Sequence, residues 1–394
     1  MVVLSTVVSV ARNVTRGDQD WADKGLPAAF AVRAQIASIP YVSSSRSHLA
    51  PNFVSDLGLR RTDDPGQFLR GCLSRLGIPT TEHVANWTPT RLTAAWDGNS
   101  ISESAFAAHI DVLISFAGMW DQAADLARQT LDAKRKPCSQ QLLTYLGSAL
   151  TSNGDARAGE MYAAAEIAAD STPATRAMAR IRRAAWQIKR VGDVPGGVET
   201  LERLESQLRD WVAGFEISPG DEGALMGVAL NLKALAAVKM HDGARAKELL
   251  GMALTRLDTG GLVVVGEDER RRYFAQVNVN IAQLHCQMGA PEMAIELTRT
   301  HLDWTRANHP GSVSEALAVA GYVAYLCGSW LQAIDLTSEA ADLIATEGSP
   351  VRLLMSRKTL AGALYQSGDV DGAQRVIETM SEDPLGLSLI ERVS

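Results

Sequence analysis

Cysteine is scarce in this chain. Only Cys72, Cys138, Cys286 and Cys327 are present, and no two of them form a Cys-x-x-Cys pair. The spacing suggests neither a zinc site nor a disulfide framework, and a reducing cytoplasm is the expected compartment. Long apolar runs are also missing. No stretch approaches the ~18 consecutive apolar residues of a membrane span, so no membrane partner is expected. The histidines (48, 83, 109, 241, 285, 301 and 309) do not pair at ligand spacing, which leaves no metal site. There is no Walker loop, no Gly-x-Gly-x-x-Gly after a strand, no His-Glu-x-x-His and no Gly-x-Ser-x-Gly. No catalytic residue and no cofactor is therefore assigned, and the chain is not read as an enzyme. Met1 to Val10 is apolar but has no basic n-region and no clear small-residue cleavage site. It reads as an arm or a first element, not a signal peptide.

What is present is a globular composition. The chain is 46% hydrophobic and 21% charged, enough apolar surface to bury a core and too much for a disordered polymer. The net charge of −7 is unevenly spread. Residues 1–95 hold 10 Lys and Arg against 7 Asp and Glu, which leaves 28 against 38 for the remainder. A mildly basic start on an acidic body permits nucleic-acid contact at that end alone.

From about residue 100 the chain punctuates itself. Apolar helical stretches end in a turn at Gly118, Gly154, Gly192, His241, Gly289, Gly328 and Gly368, with spacings of 36, 38, 49, 48, 39 and 40 residues. About five residues after each turn a small side chain opens the next helix: Ala123, Gly159, Gly197, Ala246, Ala294, Ala333 and Ala373. The helix before the turn carries its own small residue, Gly147, Ala185, Ala234, Ala282, Gly321 or Ala361. Small residues at fixed offsets let two antiparallel helices approach closely, and a period of this length implies stacked helix pairs. The two long spacings contain the insertions 214–223 and 258–269. Within the second, Leu262 to Val265 is β-prone.

This pattern resembles the tetratricopeptide repeat (TPR), and Leu146-Gly147 and Ala320-Gly321 approximate that family's Leu-Gly. The resemblance covers roughly 105–380, about seven units, and implies an all-α, right-handed superhelical solenoid. The period is longer than the family's, and most of its tryptophans and unit-end prolines are missing. The expected organisation is an arm and linker over 1–64, a helical module over 65–113, repeats over 105–380 and a tail over 381–394.

The module over 65–113 reads as helices at 66–76, 80–86 and about 89–96, with another from Ser102. Leu76-Gly77, Val84-Ala85, Gly98 and the Ala-rich stretch from Ala105 resemble a degenerate helix-turn-helix of the Cro/repressor type. That resemblance implies a recognition helix presenting Thr90, Arg91 and Thr93 to duplex DNA. The other reading of the same residues is a helical cap on the solenoid.

The TPR resemblance also implies a concave groove lined by the first helix of each unit. Its candidate peptide-binding residues are Arg182, Trp186 and Lys189 in the third unit and Asn231 in the fourth. The fifth unit supplies Gln276, Asn280 and Gln283, the sixth Tyr322 and Tyr325, and the last Lys358 and Tyr365. Asn is a poor mid-helix residue, so Asn231 and Asn280 call for a reason. A carboxamide can bond both the N–H and the C=O of an extended peptide, and Lys or Arg can meet a carboxylate. The leading expectation is a peptide- or protein-segment-binding regulator. With a working N-terminal module it would resemble peptide-sensing transcription regulators that act as DNA-binding homodimers. The rivals are a scaffold that never touches DNA, and an enzyme or enzyme-activating subunit.

Overall fold

The computed structural model describes residues 89–103, 106, 107, 110, 114, 120–152, 154–257, 267–308, 313–347 and 350–381. Every regular element among them is a helix. In order these are α1 (Pro89–Asp97), α2 (Trp120–Asp132), α3 (Gln140–Ser152), α4 (Ala158–Ile167), α5 (Pro173–Trp186), a π-helical turn (Gln187–Val191) and α6 (Val194–Ala213). They continue with α7 (Pro219–Lys239), α8 (Gly243–Leu257), α9 (Glu267–Gln287), α10 (Pro291–Asn308), α11 (Val313–Leu326), α12 (Trp330–Glu347), α13 (Pro350–Ser367) and α14 (Val370–Ser381). The described residues up to Val277 form one compact unit and those from Asn278 onward form another. In the first, α1 packs on α2 and each following helix packs on the next as far as α8. In the second, α10 through α14 pack in the same consecutive way. Helices 66–76 and 80–86, the turn at Gly118 and the β-prone 262–265 lie outside the described residues.

The described turns fall where the repeat spacing puts them, and one hydrogen-bond pattern makes five of them. Gly154 N–H donates to the Thr151 carbonyl and Asp155 N–H to Leu150. The same pair of bonds recurs at His241-Asp242, Gly289-Ala290, Gly328-Ser329 and Gly368-Asp369. This is the Schellman ending, and its turn residue must adopt left-handed backbone, which glycine does without steric cost. His241 stands in that place with φ 61°, beside 75° at Gly289 and 76° at Gly328. Often the next residue caps the following helix: Asp242 accepts from Arg245 N–H at 2.9 Å and Asp369 from Gly372 N–H at 2.8 Å. The insertion 214–223 is absorbed in a similar way. Ser218 caps α7 by accepting from Asp221 N–H at 3.0 Å, with Pro219 as the first helical residue.

The small residues sit in the helix crossings. Ala123, Ala246, Ala294, Ala333 and Ala373 are all fully buried. A side chain on Gly321 would lie 2.5 Å from the Thr337 methyl and 3.1 Å from the Thr337 backbone nitrogen, so α11 and α12 meet almost backbone to backbone there. Tyr162 covers Gly147 in the same manner between α3 and α4. Ala333→Leu or Ala373→Leu should therefore overpack its crossing and destabilise the protein by about 1–3 kcal/mol in urea titrations. An unchanged midpoint for either variant would place that residue outside the crossing.

Helix α1 is a core element. Leu92 and Trp96 are fully buried and Ala95 nearly so. Trp96 Nε1 donates to the Arg135 carbonyl at 3.1 Å, and the Arg135 guanidinium lies 3.7 Å from the indole centroid. Arg135 also donates to the carbonyls of Trp96 and Ile101, while its own N–H reaches Asp97 Oδ1 at 2.8 Å. These bonds tie the segment after α2 back to the end of α1.

Candidate functional site

The candidate groove residues fall in both compact units. Arg182, Trp186, Lys189, Asn231 and Gln276 belong to the first. Arg182 is buried on α5, and its charge acts on the hydroxyl of Tyr162, which lies 3.2 Å from Thr151 Oγ1. Its neighbour Arg183 pairs with the buried Glu166 at 3.2 Å, and Arg180 meets the same carboxylate at 3.1 Å. That ion triad joins α4 to α5. The Trp186 indole covers Gly159, where an added Cβ would stand 2.5 Å from the ring. Trp186 therefore packs helix on helix, against α4, and remains half-buried.

Lys189 occupies the π-helical turn, a break in the regular ladder that often marks a functional position. It is half-buried, and burial, with Arg190 and Lys239 nearby, lowers its ammonium pKa from 10.5 to about 8. The folded chain thus releases this proton near pH 8, while the unfolded chain holds it to about 10.5. Wild-type stability gains from this group as pH rises through that window, because the unfolded state binds more protons there. Lys189→Met should stabilise the protein at pH 7, and the advantage should shrink between pH about 8 and 10.5. Urea midpoints measured along that series check it. An advantage that does not change with pH would contradict it.

Asn280, Gln283, Tyr322, Tyr325, Lys358 and Tyr365 belong to the second unit. Tyr325 is buried, with its ring 5.3 Å from that of Trp330, and Tyr322 is buried on the same helix. Lys358 and Tyr365 are half-buried on α13. Asn231 in the first unit and Asn280 here each interact within the chain. Gln283 is different. It is 1% exposed, and neither its Nε2 nor its Oε1 has a hydrogen-bond partner among the described residues.

One turn after Gln283, α9 carries Cys286, which is disulfide-bonded to Cys327, the residue following α11. The two Cα atoms are 5.9 Å apart. This corrects the expectation of no disulfide. The cysteines lie 41 residues apart, near the ends of α9 and α11 in two successive units. Cys138 is free and exposed, and its N–H and thiol both approach the Glu103 carboxylate, the thiol at 3.2 Å.

Of the DNA-contact candidates, Thr90 and Arg91 have side chains outside the described residues, and Thr93 is half-buried. Among the described residues no helix is long and apolar enough to cross a membrane. No His, Cys, Asp and Glu group among them could hold a metal ion. The chain matches no protein-family model and is similar to none of the curated proteins.

Proposed function

We propose that this chain is a TPR-like binding protein whose ligand is a peptide or an extended segment of a partner protein. The observation that carries the reading is Gln283, a buried carboxamide with neither polar end bonded among the described residues. Leaving such a group unsatisfied costs about 1–3 kcal/mol. A chain that keeps it at a mid-helix position gains nothing in the free state. The cost is recovered when a backbone N–H and C=O reach the amide from outside, which is the complement an extended peptide offers. Asn280 lies one turn earlier on α9 and Tyr322 and Tyr325 lie on α11, which supplies a polar and aromatic setting in the same unit. Lys358 would meet an acidic side chain or a terminal carboxylate. The small residues at the crossings and the repeated Schellman turns support the TPR-like reading of the scaffold. The groove is read as that scaffold's functional surface, in a reducing compartment.

Calorimetry of a peptide selected from a random-sequence pool tests this. Asn280→Ala should weaken binding by roughly five- to hundredfold, the equivalent of about 1–3 kcal/mol. Lys358→Ala should weaken it less, with an effect that fades in salt. Unchanged affinity in both variants would move the ligand to another surface.

A further inference from the structure

The buried position of Gln283 raises a question of access. At 1% exposure its amide is closed off from any ligand in this state. Something must open for a peptide to reach it, and the structure contains a fastener one turn away. The Cys286–Cys327 bond crosses between two helix ends that are not consecutive in sequence: the last turn of α9 and the residue after α11. Each helix stops there at a left-handed glycine, Gly289 or Gly328. The bond therefore joins one unit to the next at their turns and closes a loop containing all of α10 and α11. Both cysteines are half-buried, so a small thiol has a path to them.

We propose that Cys286–Cys327 is a thiol–disulfide switch on the peptide site. When oxidised it holds the ends of α9 and α11 together with Gln283 shut in. When reduced it lets them part, so that a peptide backbone reaches the carboxamide. This rests on the peptide-binding reading. The chemistry is exchange with a dithiol reductant. A thiolate attacks one cysteine sulfur, forms a mixed disulfide and expels the other cysteine as thiolate. The second thiol of the reductant then closes its own disulfide and releases the first cysteine. Two electrons pass from the dithiol to the chain, and each cysteine sulfur ends protonated. In a reducing compartment the site stands open. An oxidant of the peroxide or disulfide class closes it, in keeping with the usual role of disulfides formed inside cells.

The test uses the full chain in two states: oxidised, with the Cys286–Cys327 peptide found in a non-reducing tryptic map, and treated with dithiothreitol. Hydrogen exchange followed by mass spectrometry needs no ligand. Reduction should speed exchange by about tenfold or more in 280–287 and 320–327 and leave α3 to α6 unchanged. The random-sequence peptide pool should bind about tenfold more tightly to the reduced chain, a difference of about 1.4 kcal/mol. Cys286→Ser/Cys327→Ser should behave as the reduced protein and ignore dithiothreitol. Absence of the linked peptide after mild oxidation, or exchange that reduction does not alter, would overturn the switch whatever the peptides do. Faster exchange with peptide affinity equal in both states would overturn the gating while leaving the binding function standing. Faster exchange with no peptide bound in either state would show that the peptide reading itself had failed.

Discussion

Trp96→Ala should loosen the N-terminal end of the described chain by about 3–5 kcal/mol, the usual cost of removing a fully buried large aromatic. The indole is 0% exposed, packs 5.3 Å from Phe106 and supports the Arg135 guanidinium on its face. Its loss leaves the Arg135 carbonyl without the Nε1 donor and removes the surface on which a charged group is stacked. A stacked array need not unfold all at once, so the effect should be local. Hydrogen exchange should rise over 89–107 and over α2 while α11 to α14 keep their protection. The result bears on what α1 is for. Read as a recognition helix, it would offer Thr90, Arg91 and Thr93 outward and pack its other face on the core. In the structure Leu92, Ala95 and Trp96 face the core, and the half-buried Thr93 and Asp97 and the exposed Ala94 remain on the other side. A protein that tolerates Trp96→Ala without local opening would contradict the core role described for this helix.

The repeat was legible in the sequence because its causes are local. A left-handed turn needs a residue that accepts positive φ, and glycine recurs at the right spacing. His241 could be placed in the series only because its neighbours kept the frame. The small residues were legible for a similar reason, since a fixed offset from each turn puts them in the crossing. Side-chain partners were less legible. Trp186 shares a helix with Lys189, and no periodicity shows that its ring will settle on Gly159. Glu166 and Arg183 are partners across a helix turn-around, and charge alone does not pair them. Cys286 stands three residues before its turn glycine and Cys327 only one, so no spacing rule links them. They meet across two successive units, at the ends of α9 and α11. In the sequence Gln283 reads only as one of the groove candidates that the TPR resemblance implies. That both its polar atoms are buried without a partner among the described residues depends on the surrounding packing, which no single helix encodes.

Gln283→Leu separates the binding account from a structural one, because the two predict opposite signs. Leucine is of similar size and carries no polar atoms. If the amide is held in reserve for a ligand, its replacement removes an unsatisfied buried group. The free protein should then gain stability, by an amount up to the about 1–3 kcal/mol that such a group costs. Affinity for a selected peptide should fall by roughly five- to hundredfold in the same variant. If instead the amide holds the fold together through bonds of its own, leucine should destabilise the chain. The decisive measurement is a urea midpoint on the oxidised, disulfide-bonded Gln283→Leu chain and a calorimetric dissociation constant on the same preparation after reduction. A raised midpoint with weakened peptide binding is the predicted result. A lowered midpoint, or unchanged affinity for the peptide, would contradict the account.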